Sequence, residues 1–195
     1  MKGRPAAARE PARDRILRTA AELFYAHGIR GVGVDRVIAE SGVAKATLYA
    51  HFRSKDELVL AFLHQADGKW RRMLREAADA AGDDPRDRLV GMFDAVGAGD
   101  GTGDDGGFRG CVFLNTASES VPGGAVHRAT AEHKRAVLAW VRDLADAAGA
   151  RDPGALAREL TLLLDGTMAA AALESVRDTV PAARRAARAI VDRHF

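Results

Sequence analysis

Residues Gly33–Leu58 read GVDRVIAESGVAKATLYAHFRSKDEL, and the spacing within this run decides the fold. Val34, Val37 and Ile38 recur at helical intervals. Gly42 ends that helix, because the residue closing a helix commonly takes φ > 0, which glycine does without steric cost. A second helix begins near Ala44 or Lys45 and turns Leu48 and Phe52, four residues apart, inward. Lys45, Ala46, Thr47, Tyr49 and His51 then face outward. Ser54-x-x-Glu57 is a capping box that opens a further helix. Two short helices across a glycine turn, the second with a small, hydroxyl-bearing and basic outer face, predict a helix-turn-helix over 32–52.

Upstream, a bracing helix is expected from near Pro11 to Gly28, with Ile16, Leu17, Ala20, Ala21 and Phe24 inward. Residues 1–9 form a basic arm whose Lys2, Arg4 and Arg9 are candidates for DNA contact. Downstream, helix 4 runs from Lys55 to about Ala81. It carries one apolar stripe through Leu58, Phe62 and Gln65 and a second through Leu63, Ala66, Trp70, Met73 and Ala77. Helices 5 to 7 follow, the seventh from about Ala125 to Ala148. Helix 8 (about 154–176) is apolar almost all round, which calls for cover from a partner subunit. Pro181 is expected to open helix 9 (about 182–194). Asp165, a charge in apolar helix 8, suits pairing with an arginine of that partner.

Composition agrees with an all-α chain of 195 residues: β-branched and aromatic residues are few. Residues 1–56 hold 11 Lys and Arg against 6 Asp and Glu, and the remainder 18 against 21, so a +5 head stands on a −3 body. That asymmetry fits a polyanion-binding module joined to a regulatory one. Cys111 is the single cysteine, which rules out a disulfide within one chain and fits a reducing compartment. The N-terminal MKGRPAAAREPARDR has charges but no apolar core, and the most apolar run, Leu160 to Leu173, contains Asp165. A cytoplasmic protein with no membrane partner is expected.

Enzyme signatures are missing: no Gly-x-Ser-x-Gly, Gly-Lys-Ser/Thr or His-Glu-x-x-His occurs. His127 and His133 are six apart, on different helix faces, so no metal or cofactor is expected. Gly101-x-Gly103-x-x-Gly106 formally matches a dinucleotide fingerprint. Its flanks are helical, however, and Asp100, Asp104 and Asp105 would repel phosphate, so Gly97–Gly107 is read as an acidic loop.

The run from Gly42 to Leu58, with Ala20-Ala21-x-Leu23-Phe24-x-x-x-Gly28 before it, resembles the signature of TetR-type transcriptional repressors, the match covering Ile16 to Phe62. The resemblance implies an N-terminal three-helix helix-turn-helix domain (10–57) and a C-terminal helical ligand-binding and dimerisation domain (58–195), about nine helices in all. It places Lys45, Ala46 and Thr47 nearest the bases, and Tyr49, His51 and Lys55 on the phosphates. Gly33 stands where the family usually has Thr or Ser, and Ala44 replaces a frequent Ser. Each loses a hydroxyl, and Arg36 is the expected compensation at a DNA-binding surface that includes Gly33. The resemblance further implies a homodimer through helices 8 and 9, a palindromic operator in double-stranded DNA, and a small-molecule effector held among helices 4 to 8. Candidate pocket residues are Trp70, Met73, Phe93, Phe113, Asn115, Glu119, His133, Trp140 and Met168, with Asn115 and Glu119 as the polar pair. Release from the operator by the effector is the expected mode; the alternative is an activator, or a regulator without a ligand.

Overall fold

The computed structural model describes residues 10–98 and 107–195. The expected basic arm, and residues 99–106 of the expected acidic loop, lie outside the described residues. Among the described residues the chain forms nine α-helices, one 3₁₀ segment and no strand. It divides into two compact units, Met1–Phe62 and Leu63–Phe195.

The first unit contains α1 (Ala12–Gly31), α2 (Val34–Ser41), α3 (Lys45–His51) and the start of α4 (Lys55–Ala80). Gly28 interrupts α1 with φ 76 and ψ 161, and one further turn follows it. Gly42 closes α2 at φ 64, ψ 30, its N–H donating to the Ile38 carbonyl. Ile16, Ala20, Val32, Val37, Leu48, Phe52 and Leu58 are almost wholly buried. The Phe24 and Phe62 rings pack at 5.7 Å, and Arg13 lies over the Phe52 ring. Arg15 Nε donates to the Ser41 carbonyl at 2.9 Å, tying α1 to the end of α2. The capping box forms in a shifted version. Ser54 Oγ accepts from the Glu57 N–H at 3.1 Å, while the Glu57 carboxylate reaches one residue further, to the Arg53 N–H at 2.7 Å.

In the second unit come the rest of α4, α5 (Pro85–Gly91), the 3₁₀ segment Met92–Gly97, α6 (Val112–Glu119), α7 (Ala125–Ala147), α8 (Pro153–Leu173) and α9 (Val176–Arg193). Helix α7 packs on α6 and α8, and α9 packs on α8 and on the 3₁₀ segment. Asp84 and Asp152 cap α5 and α8, accepting from Arg86 N–H and Ala155 N–H, with Pro85 and Pro153 in the first turns. The inward face of α4 agrees with the expected one at Leu58, Phe62 and Leu63 and differs elsewhere. Leu63, Leu74 and Ala78 are buried, Trp70, Met73 and Ala77 are half-buried, and Gln65 is exposed.

Helices 8 and 9 also differ from the expected spans. Helix α8 ends at Leu173, where Glu174 and Ser175 leave helical geometry. Helix α9 starts at Val176 because the Ser175 side chain accepts from the Arg177 N–H. Pro181 therefore lies inside α9 rather than opening it, exposed, without the backbone hydrogen bond its ring cannot make. Asp165 pairs with Lys134 of the same chain.

A polar contact joins three helices of this unit. His133 on α7 is 4% exposed, with Nδ1 2.6 Å from Asp67 Oδ1 on α4. Its ring stacks on Phe113 of α6 at 3.4 Å and 5°. Burial holds the imidazole below the ordinary histidine range. The Asp67 hydrogen bond and charge pull it back up, and Lys134 and Arg71 push it down again. The neutral ring thus donates Nδ1–H to the carboxylate.

Two predictions follow from this packing. An added Cβ at Gly91 would overlap Ala81 and sit 3.1 Å from the Ala77 carbonyl oxygen. Gly91→Ala should therefore lower stability by about 1–3 kcal/mol in denaturant titration. For His133 the folded state binds fewer protons than the unfolded chain between its lowered pKa and the ordinary value of about 6.5. Its contribution is full above that window and is lost as pH falls through it. Melting curves from about pH 8 to about pH 5 should show a steeper loss in wild type than in His133→Gln, which keeps a donor but does not titrate. Equal slopes would remove His133 as the cause.

Candidate nucleic-acid interface and effector cavity

The burial of Leu48 and Phe52 sets the orientation of α3. With those two side chains 1% and 2% exposed, helical periodicity turns the remaining positions to solvent. Lys45, Ala46, Tyr49, Ala50 and His51 are exposed and Thr47 is half-buried. Tyr49, at 43% exposure, is an aromatic ring left on the surface. Small side chains at 46 and 50 leave room for close approach to a groove, and Lys45 and Tyr49 lie one turn apart beside them.

Gly33 is the N-cap of α2 and Ala44 the N-cap of α3, and neither supplies a side-chain cap bond. Arg36, the expected compensation for the missing hydroxyls, is exposed and held within the unit. Its Nε donates to Glu40 at 2.8 Å, and its Nη2 lies 3.1 Å from His27 Nε2. Lys55 opens α4 and is half-buried. Lys45 Nζ reaches Asp35 Oδ1 at 3.4 Å, across the turn between α2 and α3. Asp35 was absent from the expected surface. Its signal was an acid in the first turn of α2, which a helix-dipole reading alone absorbs.

In the second unit, the expected pocket residues fall into several settings. Trp70 and Met168 line a cavity together with Cys111, Lys134, Val137, Thr161, Leu164 and Asp165. Phe113 and His133 form the stacked pair described above. Phe93 is fully buried in the core. Met73 is half-buried on α4, while Trp140 lines a shallow groove with Arg71 and Arg75. Asn115 is exposed, its amide donating to the Arg109 carbonyl at 2.8 Å, and Glu119 is half-buried on the same helix. The Lys134–Asp165 ion pair and the Thr161 hydroxyl place polar groups among apolar walls.

The cavity measures about 20 Å³, room for roughly one water. Small-molecule sites are larger by at least an order of magnitude. In this conformation the cavity is small. Among the described residues no cluster of His, Cys, Asp and Glu is placed to hold a metal, and no helix is long and apolar enough to cross a membrane.

Comparison with known proteins agrees with this geometry. The family model described as bacterial regulatory proteins of the tetR family matches residues 16–62. The crystal structure of a TetR-family transcriptional regulator from Streptomyces coelicolor superposes with a TM-score of 0.84 at 37% identity, covering 94% of this chain and 95% of that one. The HTH-type transcriptional activator FasR of Mycolicibacterium smegmatis is 40% identical over 57 residues, 29% of this chain. The HTH-type transcriptional repressor KstR2 of the same organism is 30% identical over 85 residues, 42% of this chain. Those matches span 26% and 39% of the two curated relatives' own length. Each relative is named as a transcriptional regulator rather than as an enzyme. The helix-turn-helix geometry, the all-helical second unit and a full-length likeness at 37% identity lead to one conclusion: the chain belongs to the TetR family of transcriptional regulators.

Proposed function

We propose that this protein is a cytoplasmic, homodimeric regulator that binds a palindromic operator through α2 and α3, represses transcription there, and is released by a small molecule. The observation that carries the reading is the outer face of α3, where Lys45, Ala46, Tyr49 and His51 are exposed over a buried Leu48 and Phe52. Thr47, Lys55, Gly33 and Arg36 complete the surface. Lys55, His51 and the Tyr49 hydroxyl contact phosphates, and Lys45 with the short side chains at 46 and 47 meets base edges. An activator remains the second reading, since one of the two curated relatives bears that name.

Dimer formation is supported by a line of exposed residues on α8: Leu162 (67%), Gly166, Ala169 and Leu173 (87%) recur every three or four positions. On α9, Ala182, Ala186 and Ala189 are exposed small residues at the same kind of spacing. Two copies joined there present two recognition helices to half-sites one helical turn or a multiple apart. The effector enters by expanding the small cavity of Trp70, Lys134, Asp165 and Met168. It shifts the equilibrium only by its preference for the expanded state. Helix α4 carries Lys55 in its first turn and Asp67 and Trp70 near its middle, so it is the element through which that change reaches the DNA-binding unit.

Selection of genomic fragments by the purified protein should enrich an inverted repeat, and a reporter gene placed behind it gives the sign of regulation. Lys55→Ala should weaken binding to all sequences alike and reduce the slope of log affinity against log salt by about one. An unchanged slope would take Lys55 off the phosphates. The double variant Leu162→Asp, Leu173→Asp should sediment as a monomer and lose operator affinity; a dimer that persists would place the interface elsewhere.

A further inference from the structure

Asp35 is the feature of the recognition surface that phosphate contact does not explain. It stands in the first turn of α2, its side chain 87% exposed, with its carboxylate 3.4 Å from the ammonium of Lys45 in the first turn of α3. A carboxylate on a face that approaches a polyanion is repelled. An exposed ion pair at this separation contributes little to stability, and complementing the α2 dipole does not require a position beside Lys45. The neighbouring cation, Arg36, already has Glu40 as its acidic partner.

Resting on the DNA-reading assignment above, we infer that Asp35 and Lys45 together read one C·G base pair in each half of the operator. The Asp35 carboxylate accepts from the cytosine N4 amine, and the Lys45 ammonium donates to the guanine O6 and N7 of the same pair. The spacing is complementary. Cytosine N4 and guanine O6 are partners in one Watson–Crick hydrogen bond, so they lie about 2.9 Å apart on the major-groove edge. An acceptor and a donor held 3.4 Å apart match them. The reversed G·C pair sets guanine O6 against the carboxylate and the cytosine amine against the ammonium, and is rejected. An A·T pair keeps an amine for Asp35 but offers Lys45 a lone O4, and ranks between the two. Asp35 thus excludes wrong sequences, while Lys45 supplies attraction.

The test is selection from a randomised inverted-repeat duplex library by the full-length wild type, Asp35→Ala, Lys45→Ala and Asp35→Asn, at one fixed salt concentration. Wild type should prefer C·G at one position of each half-site, on the order of ten-fold over G·C. Asp35→Ala should lose that preference while keeping the others and binding unrelated DNA more tightly. Lys45→Ala should relax the same position. Asp35→Asn should move the preference there toward A·T, because an amide pairs with adenine. Melting temperatures close to wild type confirm that these exposed substitutions leave the head folded. A merely structural role for Asp35 would change affinity for all sequences together. Asp35→Ala with an unaltered preference at every position overturns the inference and leaves the DNA-reading assignment standing. A wild type that enriches no sequence overturns both.

Discussion

The recognition surface depends on one backbone conformation. At Gly42 the chain takes φ 64, ψ 30, a region that costs a residue with a Cβ roughly 1–2 kcal/mol. This turn ends α2, sends Val43 into the core at 9% exposure, and starts α3 two residues later. With Leu48 and Phe52 then buried, the outward set of α3 has no freedom left: Cβ directions along a helix leave 45, 46, 49 and 50 to solvent. The chemistry of the exposed face of α3 is thus a consequence of how two apolar side chains pack. Exposed pairs such as Lys45–Asp35 and Arg36–Glu40 are too weak to organise the head. They hold charges in place without fixing the fold.

The second unit is organised differently. Its interior carries polar groups, and burying one is costly unless it finds a partner. His133 and Asp67 pair across α7 and α4, with Phe113 stacked on the ring, and the half-buried Lys134 and Asp165 pair across α7 and α8. Opening the cavity of about 20 Å³ to admit a ligand means separating surfaces near these pairs. A ligand that supplies replacement partners recovers what the opening loses, and one that merely fills space does not.

Local signals carried far into the structure. Gly42, the Ser54–Glu57 box, and Asp-Pro at 84–85 and 152–153 mark element boundaries through interactions spanning a few residues, and the helices form where those signals stand. Pro181 shows the limit of such reading. A proline suits a helix start, but Ser175 offers a side-chain cap earlier, and one missing hydrogen bond on an exposed helix costs less than losing a cap and a turn of packing. The inward face of the second half of α4 was read from its large apolar side chains, which favours Trp70 and Met73. Leu63 is buried as expected, but the buried positions beyond it, Leu74 and Ala78, share its line with Asp67, which pairs with His133.

By itself the sequence determined the all-helical class, the helix-turn-helix and the direction in which α3 faces. These follow from periodicity, glycine conformation and caps, which act within a turn or two of chain. Only the tertiary structure decided the partners of the charges: His133 with Asp67, 66 residues away, Lys134 with Asp165, 31 away, and Lys45 with Asp35 across the turn. A charged residue carries no local mark of its partner, because an ion pair needs only proximity, and the fold alone supplies proximity between distant positions.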